Sequence, residues 1–175
     1  MKNILLPTDF SENAQTAARY AAVLARQCGA RLIILHVFSP FATLASLDED
    51  SDDLELAAQA KLDAKAHELH EAYGISITRL LKPGFAPDEV LALARRVKAS
   101  LIVLGAQGAT HSSGNLMGKV AIELLASEEF PILCIPALHG QDEASSTDTL
   151  LFEKQSLCNQ KGQKLLTKLE QTFEL

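Results

Sequence analysis

The spacing with the most chemical meaning lies in residues 101–121, LIVLGAQGATHSSGNLMGKVA. Four apolar residues, Leu101, Ile102, Val103 and Leu104, read as a short buried strand. Glycines follow at Gly105, Gly108, Gly114 and Gly118, and an apolar helical pattern starts with Val120 and Ala121. A buried strand that runs through glycines into a helix is a scaffold for phosphate. Glycine lets backbone N–H groups approach an anion, and the helix N-terminus adds partial positive charge. A second group with chemical potential, Pro7-Thr8-Asp9, follows the first apolar run of the chain. Asp9 could accept hydrogen bonds from a ribose hydroxyl or a base amino group, or it could simply satisfy its own turn. The glycines taken alone fit an ordinary loop as well.

The elements that must position these residues are legible. Residues 3–6 (NILL), 31–37 (RLIILHV), 101–104 and 132–135 (ILCI) are nearly all apolar, as strands covered on both faces by helices are. Residues 75–81 alternate more and fit a sheet edge. Helices are expected between them. The first starts after Ser11 as N-cap with Glu12 in its first turn, and Gly29 stops it. The second covers 54–73, after an acidic stretch holding Asp48, Glu49, Asp50, Asp52 and Asp53. A third starts at Pro87, with Asp88 and Glu89 at its front and Arg95, Arg96 and Lys98 at its back. The fourth runs from about 118 to 126. Alternation of strand and helix predicts an α/β fold: an open five-stranded parallel sheet in the order 3-2-1-4-5, with helices on both faces and right-handed crossovers. Ile132–Ile135 then lies at an edge although it is wholly apolar, which predicts a homodimer through that strand.

In such a sheet, ligands bind beyond the carboxyl ends of the strands where strand order reverses. That point lies between the first and fourth strands, so Pro7, Thr8 and Asp9 meet Gly105 and Gly108 in one crevice, with backbone near Val37 at its border. Competing motifs fail. A Walker A loop ending at Gly118-Lys119 requires glycine where Ser113 stands and Ser or Thr where Val120 stands. Neither G-x-G-x-x-G after a strand nor G-x-S-x-G occurs. His67 and His70 flank an apolar stripe and do not form H-E-x-x-H, His36 sits inside an apolar strand, and His111 belongs to the glycine loop.

The 175 residues are enough for one domain with a sizeable core. A net charge of −6 provides no basic field for nucleic acid. Cys28, Cys134 and Cys158 show neither a disulfide framework nor zinc spacing. Neither a secretory leader nor a membrane-length apolar run is recognisable, so a reduced, soluble, cytoplasmic protein is expected, without a membrane partner. Residues 1–136 form the expected domain, 137–149 a polar linker, and 150–175 a helical extension carrying Leu165, Leu166, Leu169 and Phe173.

The opening NILLPTDFSENA, the strand LIILHV, the stretch DEVLALARRVKASLIVLGAQG and the ending FPILCIP together resemble the universal stress protein family over residues 1 to about 136. The family pattern of glycine, two residues, glycine, nine residues and glycine matches Gly105, Gly108 and Gly118 in spacing. The resemblance implies the adenine nucleotide alpha hydrolase-like fold, homodimers through the last strand, and binding of ATP or AMP, with or without Mg. It would place Asp9 and Val37 at the adenine and ribose, and Gly105, Gly108 and Gly118 at ribose and phosphates; Pro7, Thr8, Lys119 and Val120 complete the expected nucleotide-binding set. The chain departs from the pattern after the third glycine, where Lys119 replaces a Ser or Thr, and at Ala121, where many members carry another hydroxyl. The leading expectation is an adenine-nucleotide-binding regulatory or sensor module of the stress response. A second is a nucleotide-free dimeric interaction protein with Lys119 filling the phosphate site. A third is a weak ATP hydrolase or adenylate transferase, for which no catalytic residue or metal cluster can be nominated.

Overall fold

A computed structural model describes residues 1–39, 51–108, 117–136 and 157–173. Its elements are β1 (Asn3–Pro7), α1 (Glu12–Cys28), β2 (Arg31–Phe38), α2 (Ser51–Tyr73), β3 (Ile77–Pro83), α3 (Ala86–Val97), β4 (Leu101–Gly105), α4 (Lys119–Ser127), β5 (Ile132–Ile135), β6 (Leu157–Cys158) and α5 (Gln160–Phe173). The first five strands are parallel and lie in the order 3-2-1-4-5, as the apolar runs predict. β1 is central, with Leu5 in register with Ile33 of β2 on one side and Ile102 of β4 on the other.

Side chains of successive strand residues point to opposite faces, so each strand feeds two cores. Ile4, Leu6, Leu101 and Val103 pack with Ala17, Ala21 and Leu24 of α1, Leu62 and Leu69 of α2, and Leu166 and Leu169 of α5. Leu5, Ile102 and Leu104 pack with Val90 and Leu93 of α3 and Leu124 of α4. The run of buried alanines on α1 lets that helix lie close to the sheet. Gly29, at φ 58, turns the chain from α1 toward β2, a left-handed conformation that glycine adopts without a Cβ clash. Cys134 is enclosed in the core on the α3–α4 side, and burial, with a smaller effect from the nearby Cys158, pushes its thiol up to about 12.

One expectation is corrected. β5 does not stand at the sheet edge: β6 pairs antiparallel with it, and α5 packs behind. The self-pairing edge expected at Ile132–Ile135 is therefore taken by the chain's own C-terminal segment. A two-residue strand has no periodicity to reveal it in sequence. The opposite edge is β3, whose Arg79 and Lys82 are partly exposed and pair with Asp63 and Glu89.

Candidate functional site

Beyond the carboxyl ends of β1 and β4 lies a cavity of about 460 Å³. Pro7, Thr8, Asp9, Val37, Gly105, Gly108, Gly118, Lys119 and Val120 all line it, so the nine positions singled out in the sequence border one space. Its size is that of small-molecule pockets generally. Sequence reasoning missed part of the lining: Ala86 and Val90 of α3, Gln107, and Met117 next to Gly118. The first two belong to a helix read only for its caps, and nothing in their type signals a ligand wall. The acidic residues 48–50 and the loop residues His111, Ser112, Ser113 and Gly114 lie outside the described residues.

The turn after β1 is held on several sides. Thr8 N–H donates to the Leu35 carbonyl at 2.9 Å. His36 Nδ1 lies 2.7 Å from the Thr8 carbonyl and donates to it, so His36 is a satisfied rim histidine that fixes the turn. Phe10 takes a left-handed φ of 63 and stacks at a tilt 4.6 Å from the His36 ring. A bulky residue in that region is strained, and such strain persists where surroundings over-determine the backbone. The result fixes Asp9. Its Oδ1 accepts from Ser11 N at 3.1 Å and from Ser11 Oγ at 2.6 Å. Ser11 Oγ also accepts from Ala14 N at 3.2 Å, capping α1. One hydroxyl thus serves both the helix and the carboxylate. Ser11→Ala should cost about 1 kcal/mol, as loss of an N-cap does, and lower Tm by about 2–4 °C in a thermal melt for a chain of this size. An unchanged melting curve would remove the cap from the account.

The glycines act by close approach. A Cβ on Gly108 would stand 2.7 Å from Asp9 Oδ2, so any side chain there would push the Asp9 carboxylate from this position. A Cβ on Gly105 would stand 3.0 Å from the Asn13 backbone carbon, where α1 crosses the end of β4. Asn13 Nδ2 donates to the Gln107 carbonyl at 3.2 Å, tying α1 to the glycine loop. Gly118 N–H donates to the Ala106 carbonyl at 2.7 Å, which brings the start of α4 back against β4.

Gly118 is the N-cap of α4 and has no side chain to cap it. The first N–H groups of a helix have no partner inside the helix, and here residues 118–121 line the cavity. A Ser or Thr hydroxyl after the glycine could accept from such groups; Lys119, whose ammonium is a donor only, cannot. Its side chain is 78% exposed, with Nζ 3.8 Å from Glu123 Oε1 and 5.6 Å from the centre of the Phe85 ring. The ammonium thus rests at the rim, between α4 and the start of α3. Among the described residues no cluster of three or more His, Cys, Asp or Glu could hold a metal ion, and His70 Nδ1 is engaged with the Ile75 carbonyl at 2.9 Å. No helix among the described residues is long and apolar enough to cross a membrane.

A doubly wound parallel sheet with a glycine-lined crevice at its order reversal defines the class: an α/β protein of the kind that places a ligand at the switch point. The model of the universal stress protein family matches residues 1–136, and the chain belongs to that family. It is 30% identical over 139 residues to universal stress protein MJ0531 of Methanocaldococcus jannaschii, covering 77% of this chain and 81% of that one. The solved structure of MJ0577, a universal stress protein of the same organism, superposes with a TM-score of 0.72 at 25% identity, covering 79% of this chain and 98% of that one. A universal stress protein from Archaeoglobus fulgidus, solved in complex with dAMP, superposes with a TM-score of 0.60 at 22% identity, covering 77% of this chain and 98% of that one.

Proposed function

We propose that the crevice binds an adenine nucleotide, ATP or AMP, and that the chain is a regulatory or sensor module of the stress response in the cytoplasm. The observation that carries this reading is the uncapped first turn of α4, which lines the same cavity as Asp9 and the Gly105–Gly108 turn. In the proposed complex the first N–H groups of α4 meet phosphate oxygens, where hydrogen bonds to charge contribute about 1.5–3 kcal/mol each. Asp9 meets ribose or adenine, and Val37 with Val90 borders the base. The dAMP complex of the Archaeoglobus relative supports an adenine mononucleotide as the ligand class. Mg would come with a triphosphate, carried mainly by the phosphate oxygens, because Asp9, the one carboxylate among the lining residues, is assigned to ribose or adenine. Three free cysteines fit a reducing compartment.

The position of Lys119 favours this reading over a nucleotide-free protein. With Nζ beside Glu123 and Phe85, the lysine leaves the centre of the crevice open and can swing onto a phosphate as a point charge. The test is calorimetric titration with ATP, ADP, AMP and adenosine, alongside Asp9→Ala and Lys119→Ser. The reading expects heat with at least one nucleotide and a weaker Asp9→Ala variant. No heat at millimolar nucleotide would sink it. Tighter binding by Lys119→Ser than by the unaltered chain would mean that the lysine obstructs the site.

A further inference from the structure

β5 is fully apolar and fully buried, yet it is the last strand of the parallel sheet. An apolar edge of this kind invites a further strand. In a dimer with two-fold symmetry that strand would be β5 of a second copy, running antiparallel. Symmetry about the midpoint of Leu133 and Cys134 would set each Leu133 opposite the other copy's Cys134. In the structure Leu133 faces Cys158, and Cys134 faces Leu157. β6 thus repeats the dipeptide Leu-Cys of β5 in sequence, direction and register.

The fastening of this segment is specific. Asn159 is buried. Its Oδ1 accepts from Ile132 N at 3.2 Å and Gly162 N at 2.9 Å, and its Nδ2 donates to the Phe130 carbonyl at 2.7 Å. The asparagine therefore extends the ladder past the two-residue strand. A Cβ at Gly162 would collide with the Ile132 carbonyl oxygen, so α5 can sit this close only with glycine there. Lys161 Nζ donates to the Glu129 carbonyl at 2.9 Å. Leu166 and Leu169 then close over the same core that holds Leu133 and Ile135.

We infer that residues 157–173 are an intramolecular stand-in for a second copy of the chain: they mask a self-pairing edge at β5, and their release opens that edge to another copy. The inference is independent of nucleotide. A tethered segment competes at about millimolar effective concentration, so the masked chain is a monomer at micromolar concentration and the released chain a dimer. The experiment compares the full chain with Gly162→Val by sedimentation velocity, with hydrogen exchange reporting whether residues 157–173 are docked. The unaltered chain should sediment as one copy with the segment protected. Gly162→Val should lose that protection and sediment as two copies, its dimer dissociation constant lower by about 100-fold or more. Excess synthetic peptide 157–173 should return it to one copy. An unaltered chain that is a dimer with the segment docked would overturn the inference. So would a Gly162→Val chain that keeps the protection, or that loses it and stays a monomer, or whose dimer ignores the peptide. If Gly162→Val precipitates, Asn159→Ala takes its place, with the same expectations and the same overturning outcomes.

Discussion

Gly118→Val is expected to weaken adenine-nucleotide binding by about 100-fold or more while costing the fold about 1 kcal/mol, valine being a poorer N-cap than glycine. The backbone at Gly118 (φ −76, ψ 157) is ordinary for any residue, so valine brings no backbone strain. A Cβ there would have Gly108 N at 3.4 Å and the Ala106 carbonyl oxygen at 3.6 Å, contacts that a chain accommodates. The two methyl groups beyond it are another matter. They must enter the space between the start of α4 and the Gly105–Gly108 turn, or the cavity itself. Methyl groups in either place are expected to crowd the helix N–H groups proposed to meet phosphate. Loss of two hydrogen bonds to a charged group, each about 1.5–3 kcal/mol, corresponds to about 100-fold or more, at 1.4 kcal/mol per factor of ten. Calorimetry gives the affinity and a thermal melt gives the control. Binding within about threefold of the unaltered chain, a difference of under about 1 kcal/mol, would take the first turn of α4 out of the site.

Gly105→Val should act the other way round, on the fold first. A Cβ at this position meets the Asn13 backbone carbon at 3.0 Å and its Cγ and carbonyl oxygen at 3.1 Å. Two of the three are main-chain atoms of a helix packed on β4, so making room means shifting the start of α1 and not only a side chain. Overpacking of this kind costs about 1–3 kcal/mol, a fall in Tm of about 2–12 °C for a chain of this length. The damage should spread into the crevice as well, because Asn13 also holds the Gln107 carbonyl. Nucleotide affinity and stability should therefore fall together, whereas in Gly118→Val the loss is mostly of affinity. A Gly105→Val chain with an unchanged melt would show that α1 can lift from β4 at no cost.

The contrast between these two glycines shows what could be read from sequence. The sheet order was legible because four strands are apolar on both faces and one alternates. The crevice was legible because strand ends at Pro7 and Leu104 carry turn and glycine residues that the order reversal brings together. The work of each glycine was not legible. Spacing cannot say that Gly108 makes room for Asp9, or that Gly105 makes room for Asn13, since those neighbours come from distant parts of the chain. Lys119 was visible as a departure, but its rest position beside Phe85 depends on how α3 and α4 pack. The C-terminal segment was the least legible part. Its leucines predict a helix and say nothing about what it covers. Nothing in the sequence singles out Asn159 or Gly162, whose roles show only where the Ile132 backbone stands against them.

The two end strands of the parallel part of the sheet, β3 and β5, are protected against aggregation by different physics. β3 is guarded by charge, through Arg79 and Lys82 and their acidic partners. β5 is guarded by matter: a strand, an asparagine and a helix laid over it. Salt weakens the first guard, since screening shortens the reach of exposed charge from about 10 Å at 0.1 M to about 3 Å at 1 M. It barely touches the second. Proteolysis between residues 136 and 157 does the reverse: it frees the cover from its tether and leaves the charges intact. Insolubility in concentrated salt would thus begin at β3, and insolubility after C-terminal nicking at β5.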